Sequence, residues 1–332
     1  VMLRAFDEFG PSLIENPPAA IGHRVVQGGA RFFHPTLIDD LVEINIEDLA
    51  ELAPLHNPGA LQGIRAARAA FPELQHVAVF DTAFHQTMPD EAAVYAIDRA
   101  VAERWRIRRY GFHGTSHGFV SARAAEFLGI ELDRFDAITL HLGNGASACA
   151  IRGSRSIDTS MGMTPLEGLV MGTRSGDLDP AIPLHLQRRA GMTTAEVDDL
   201  LNRRSGLLGL TGSSDVRDVL SRAEGGDESA ALGLAIMTRR IKRTVGAYLA
   251  ELGRADAIVF TAGVGENAPA IRAAALTGLE VFGIELDLEA NAERGRGIRV
   301  ISTPTSRIAV LVVPTDEELE IATQTAGVVA AL

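Results

Sequence analysis

Two hydrophobic rhythms alternate along this chain. Short continuous apolar runs, such as Ile308 to Val313, have the length of buried strands, and between them apolar residues recur at helical spacing. The run "HNPGALQGIRAARAAF" predicts a helix with Asn57 as its N-cap and Pro58 at its first position. Leu61, Ile64, Ala67 and Phe71 follow at helical spacing, and Pro72 stops it. "HVAVFDTAF" predicts a buried strand ending at Phe80, with Asp81 at its exit. "DAITLHLGNGASACAI" reads as strand, tight glycine turn, strand. The longest helical pattern runs from Glu228 to Leu252. "ADAIVFTAGVGENAPAIRAAAL" reads as strand, glycine loop, helix, and "RIAVLVVPTDEELEIATQTAGVVAAL" as strand, cap, helix, with Thr315 and Glu318 at the spacing of a capping box. This alternation predicts an α/β fold, a largely parallel or mixed sheet covered by helices. No stretch has the composition of a linker, so two domains would be joined within ordered structure, with Asp81 and Glu317 as the crossing points.

Composition narrows the class. At 332 residues the chain is comfortable as two domains, and 46% hydrophobic residues supply a large core. A net charge of −12 argues against a nucleic acid or an anionic membrane as partner. It also means that any anionic ligand must be met by local positive charge, so individual arginines matter. The single cysteine, Cys149, excludes an internal disulfide and a cysteine metal cluster, reads as a small buried strand residue, and fits a cytoplasmic setting. The apolar runs are too short to cross a bilayer. The opening "VMLRAFDEFG" lacks a signal pattern and reads as the middle of a helix.

Two strand–glycine units stand out, His141 to Gly145 ("HLGNG") and Gly263 to Asn267 ("GVGEN"). Backbone amides in such turns form anion nests, although neither unit is a Walker A or a GxGxxG sequence, and either alone reads first as a tight turn between packed elements. Arg24 in "GHRVVQGG", Arg174 in "GTRSGDLDP" and Arg217 in "SSDVRD" sit among small residues, poised to fork onto a carboxylate or phosphate. For Arg217 a surface ion pair with Asp215 or Asp218 is an equal alternative. In "RRYGFHGTSH", His113 and His117 have the spacing of a metal pair on a helix, but Gly114 and the lack of a third ligand favour an anion donor at His113 and a structural role for His117. Asp81 and Glu317 are carboxylates at strand exits. They suit a magnesium ion, or simply capping and turn formation.

Together with "FDTAFHQTMP", "DTSMGMTPLEGLVMGTRSGDLDP", "GLLGLTGSSDVRD", "FTAGVGENAP" and "VPTDEELEIA", these runs resemble the acetate kinase (acetokinase) family, within the superfamily of acetate and sugar kinases, heat-shock ATPases and actin. The likeness extends from Gly22 to Ala322. It implies a two-domain actin-like ATPase (ribonuclease H-like) α/β fold with an interdomain cleft. One domain would be residues 1–82 plus 318–332, and the other, residues 83–317, would bind nucleotide and form a homodimer. It implies reversible transfer of the ATP γ-phosphoryl group to acetate, giving acetyl phosphate and ADP, with Mg2+ or Mn2+. By motif position, Asp81, His113 and Arg174 are implied as catalytic, and Arg24 and Val26 as substrate-binding, with Val26 facing the acetate methyl. His141, Leu142, Gly143, Asn144, Gly145, Asp215, Val216, Arg217, Gly263, Val264, Gly265, Glu266 and Asn267 are implied for ATP, and Glu317 for the metal.

The chain also departs from the family pattern. The family's opening phosphate loop, resembling N-A-G-S-S-S-x-K, has no match, so the N-terminal domain is expected to be incomplete, with exposed sheet edges. Gln27 stands where a histidine is usual, and Val216 where an aromatic residue is common. Two alternatives therefore stand beside acetate kinase: a propionate or butyrate kinase, and a catalytically inactive nucleotide-binding protein.

Overall fold

The computed structural model describes residues 17–54 and 56–332. The helical reading of residues 1–10 lies outside them. The described residues divide into two compact units. The smaller comprises residues up to Gln86, Phe112–Phe119 and Asp316–Leu332, and the larger comprises Thr87–Gly111 and Val120–Thr315.

In the smaller unit, strands β1 (Ala20–Val25), β2 (Thr36–Leu37) and β3 (Gln75–Phe80) form a sheet in the order β1-β3-β2. β1 and β3 are parallel, with Arg24 opposite Val79 and Val25 opposite Phe80. The helix Asn57–Ala70 provides the crossover, burying Leu61, Ile64 and Ala67 as their spacing predicts. The N-cap is His56, not Asn57. Asn57 is fully buried, and its amide works elsewhere: Oδ1 accepts from Gln27 N at 3.0 Å and Nδ2 donates to Gln27 O at 3.0 Å. A tertiary demand for pairing the backbone just past β1 has overridden the local capping preference. The helix Glu317–Ala330 packs on β1 and β3. Its N-cap is Asp316, whose carboxylate accepts from Leu319 N at 2.9 Å, so the expected Thr315–Glu318 box is replaced by a cap one residue later.

In the larger unit, β4 (Asp136–Leu142), β5 (Ala146–Arg152), β6 (Arg155–Thr159), β7 (Ala257–Thr261), β8 (Arg299–Val300) and β9 (Ala309–Val312) form one sheet in the order β6-β5-β4-β7-β9-β8. β4, β5 and β6 run antiparallel as a meander, and β4, β7 and β9 run parallel. Every residue of β4 is buried, as a central strand covered on both faces requires. The helix Glu228–Leu252 has the predicted bounds and lies against β4 and β5. Cys149 is buried on β5, where burial raises its thiol pKa well above the usual range and keeps it inert. "GVGEN" is not an open loop: Ala262–Asn267 is a short helix, entered through Ala262 at φ +63°.

Candidate active site

The smaller unit holds five of the expected site residues and brings three of them, Arg24, Asp81 and Glu317, together. Parallel pairing sets Arg24 opposite Val79, two residues before Asp81, so period-two alternation aims both side chains to one face. Arg24 Nε donates to Asp81 Oδ1 at 2.9 Å and Nη2 to Asp81 Oδ2 at 2.8 Å, a bidentate fork on a buried carboxylate. The hydrogen bonds to Asp81 raise the Arg24 pKa and hold it charged, despite partial burial. The same Nη2 lies 3.3 Å from Glu317 Oε2. That oxygen is buried and has no hydrogen bond. Burial, reinforced by the Asp81 charge and opposed by Arg24, raises the Glu317 carboxyl pKa.

His113 precedes the helix Gly114–Leu128 and holds a strained φ of +56°. Gly114 N donates to Asp81 O at 2.9 Å, and a Cβ at Gly114 would stand only 2.3 Å from that oxygen. A side chain there would push His113 away from Asp81. His117 is buried, its ring edge-on to buried His85 at 5.7 Å, in the structural role expected of it. Val26 is half-buried just beyond β1. Gln27 is buried, with Oε1 accepting from Gly29 N at 2.9 Å and Nε2 without a partner.

In the larger unit, Arg174 donates Nη1 to Pro165 O at 2.6 Å and forms no ion pair with a described carboxylate. Burial without a counter-charge lowers its pKa. Its loop is braced by Arg109, which sequence reasoning passed over inside "RRYGFHGTSH". Arg109 Nη1 donates to Thr159 O at 2.9 Å and Met161 O at 3.2 Å, and Nη2 to Glu167 Oε1 at 2.7 Å. Tyr95 completes the brace, its hydroxyl meeting Glu167 and accepting from Met163 N at 3.1 Å.

Three expected nucleotide segments line one cavity of about 420 Å³ in this unit: Gly143–Asn144, Asp215–Val216–Arg217, and Gly263, Val264 and Asn267. Asp215 N-caps the helix Val216–Glu224 and pairs with Arg217 at 2.6 Å, so the surface ion pair weighed for Arg217 is present. Arg217 and its amide pull the Asp215 carboxyl down to about 2. His141 and Leu142 are buried strand residues and, like Gly145 and Gly265, do not line the cavity. Glu266 instead accepts from Thr315 N at 3.3 Å. Leu207, from "GLLGLTGSSDVRD", joins Leu220 and Met237, which no motif announced, in an apolar wall, and Gly172 also lines the cavity. A Cβ at Gly172 would lie 2.1 Å from Asn144 Oδ1. Among the described residues no helix is long and apolar enough to cross a membrane, and no cluster of three or more His, Cys, Asp or Glu residues forms a ready metal centre.

A family model described as the acetokinase family matches residues 5–323. An acetate kinase of Leifsonia xyli subsp. xyli is 64% identical over 330 residues, spanning 99% of this chain and 83% of that protein. Among solved structures, Porphyromonas gingivalis acetate kinase superposes with a TM-score of 0.94 at 44% identity, covering 99% of this chain and 83% of that one. A propionate kinase from Francisella tularensis subsp. tularensis SCHU S4 superposes with a TM-score of 0.91 at 43% identity, covering 98% and 83%. The α/β fold of actin-like ATPase type expected from the sequence is the fold found.

Proposed function

This chain belongs to the acetokinase family, and on that premise we propose that it transfers the γ-phosphoryl group of ATP to acetate, reversibly, giving acetyl phosphate and ADP. The observation that carries this reading is the convergence of "GN", "DVR" and "GV…N" on one cavity with an apolar wall, suited to a nucleoside and its phosphates.

The chemical difficulty is charge. At about 4 Å and an effective dielectric of about 20, two unit negative charges repel by about 4 kcal/mol, roughly a thousand-fold in rate. Phosphoryl transfer therefore asks for positioning and neutralisation more than for covalent help. We assign Arg24 and Arg174 to the acetate carboxylate and the transferring phosphoryl group, and His113 to the charge that develops between them. Val26 is assigned to the acetate methyl. Acetate is ionised at neutral pH and needs no base. Asp81 is therefore read as the residue that orients Arg24, which its bidentate fork supports. The acetate oxygen attacks phosphorus as the bond to the ADP oxygen breaks, with no phospho-enzyme.

A magnesium ion suits Glu317, a hard oxygen donor whose Oε2 is buried without a hydrogen bond. Such an ion, or manganese, would neutralise phosphate oxygens. The reading includes one domain built on residues 1–82 plus 318–332, with residues 83–86, 112–119 and 316–317 clustering with it, and the rest of residues 83–317 as the other; it also includes a homodimer through the latter and a cytoplasmic location.

The test is turnover of acetate, ATP and Mg2+ with hydroxylamine trapping, run beside propionate and butyrate. Acetyl hydroxamate as the main product supports the proposal. A preference for propionate moves the assignment to that kinase. Nucleotide binding without turnover on any of the three replaces it with the binding-protein reading. Retention of configuration at a chiral γ-phosphate would exclude direct transfer.

A further inference from the structure

The larger unit holds a second cavity, of about 320 Å³, lined by Arg272, Arg294, Arg296 and Arg299 together with Glu266, Glu293 and Asn267. Asn267 also lines the nucleotide cavity, so the short helix Ala262–Asn267 borders both spaces. Among the described residues none of the four arginines forms an ion pair. Four arginines against Glu266 and Glu293 leave the cavity a surplus of positive charge in a protein of net charge −12.

Part of the cluster has a structural explanation. Arg272, fully buried, donates Nη1 to Gly265 O at 2.9 Å and to Glu266 O at 3.0 Å, and Arg299 Nη2 donates to Glu266 O at 3.2 Å. These bonds satisfy carbonyls at the end of the short helix. That explanation does not reach Arg294 and Arg296, which are exposed at the rim and make no hydrogen bond. Nor does it reach Arg299 Nε, which is buried without a partner. A buried donor left unmade is costly, and so are like charges packed together, unless something between them accepts. Burial first, and then the Arg299 charge, pull the Arg272 pKa down to about 10, in keeping with that crowding.

We propose that this cavity binds a small, multiply charged oxyanion of the phosphate class, and that its occupancy tightens nucleotide binding through the helix Ala262–Asn267. Arg272 already donates to the carbonyls of Gly265 and Glu266, and Arg299 to that of Glu266; the anion offsets the repulsion between the two arginines and so strengthens these bonds. The helix is then ordered before nucleotide arrives, and less ordering entropy is left for the nucleotide to meet. The coupling rests on the nucleotide reading of the first cavity; the anion site does not.

The test uses the full chain and the double variant Arg294→Ser/Arg296→Ser, whose rim positions leave the fold intact. Inorganic phosphate and diphosphate are titrated calorimetrically into each protein, with and without saturating ADP. The wild type should bind an anion alongside ADP, and the double variant should bind it at least about tenfold more weakly. ADP should bind both proteins equally in the absence of anion. Phosphate should tighten ADP binding by about fivefold in the wild type only. Equal anion binding by the two proteins, or no anion binding by the wild type, overturns the site. Anion binding lost in the variant with no change in ADP affinity overturns the coupling and keeps the site. Failure of ADP to bind either protein defeats the nucleotide reading, and the ADP-free titration then decides the anion site alone.

Discussion

Arg24 and Arg174 are the same residue type in opposite electrostatic states. In the smaller unit, Arg24 forks onto Asp81 and its charge is reinforced. In the larger unit, Arg174 is partly buried, bonded only to a carbonyl oxygen, and its charge is disfavoured. Arg24 is fixed in orientation through Nε and Nη2, and its side chain stays 43% exposed. Arg174 keeps donors that no carboxylate among the described residues engages, which suits the receptor role proposed for it. The first arrangement stabilises the protein, and the second stores a cost that only a ligand relieves.

The largest expected effect breaks the receptor side. Arg174→Ala should lower kcat by roughly 10³-fold, as for a lost donor to a developing anion. It should leave thermal stability unchanged or slightly raised, because a strained charge is gone. A variant within tenfold of wild type would show that Arg174 is not the receptor. Next comes the Arg24 side. Asp81→Asn keeps the shape but removes the counter-charge, and kcat/KM should fall by about 10²-fold. Arg24 is 43% exposed, so the stability loss should stay near 1 kcal/mol after solvent screening. A double-mutant cycle with Arg24→Ala checks this: purely additive effects would mean that the fork does not act as a unit.

A smaller effect tests the nucleotide side of the larger unit. Gly172→Ala drives a methyl into the Asn144 amide and should raise KM for ATP by about tenfold with less change in kcat. Unchanged nucleotide kinetics would remove Asn144 from the phosphate contacts.

The smallest effect concerns acid sensitivity beside Arg24. His23 Nε2 lies 3.0 Å from His76 Nδ1. Burial first, then the His76 charge, lower the His23 pKa to about 4, against an ordinary value of 6.5. The unfolded chain therefore binds the extra proton across that window, and stability falls as pH drops from about 6.5 to about 4. His23→Asn should flatten this part of the stability profile, measured by urea unfolding at several pH values. An unchanged slope would place the acid sensitivity elsewhere.

Much of the fold was legible because its signals are local. The helix Glu228–Leu252 and the paired strands around "GNG" follow from period and turn residues alone. The helical character of Ala262–Asn267 was not legible, since two glycines in "GVGEN" read as a loop. Asn57 reads as a helix cap by sequence preference, yet the fold spends its amide on Gln27, thirty residues away. Arg109 reads as one more basic residue beside Arg108, although it braces the loop that carries Arg174.

The sequence by itself determined the family, the order of strands and helices, and which residue types stand at the glycine turns and strand exits. Only the tertiary structure decided which of those residues meet. The register of β1 on β3 turned Arg24 toward Asp81, and packing in the larger unit left Arg174 without a counter-charge. The physical reason is range. Periodicity and capping act over a few residues and are written locally, whereas pairing, burial and desolvation arise between residues distant in the chain and exist only once it has closed on itself.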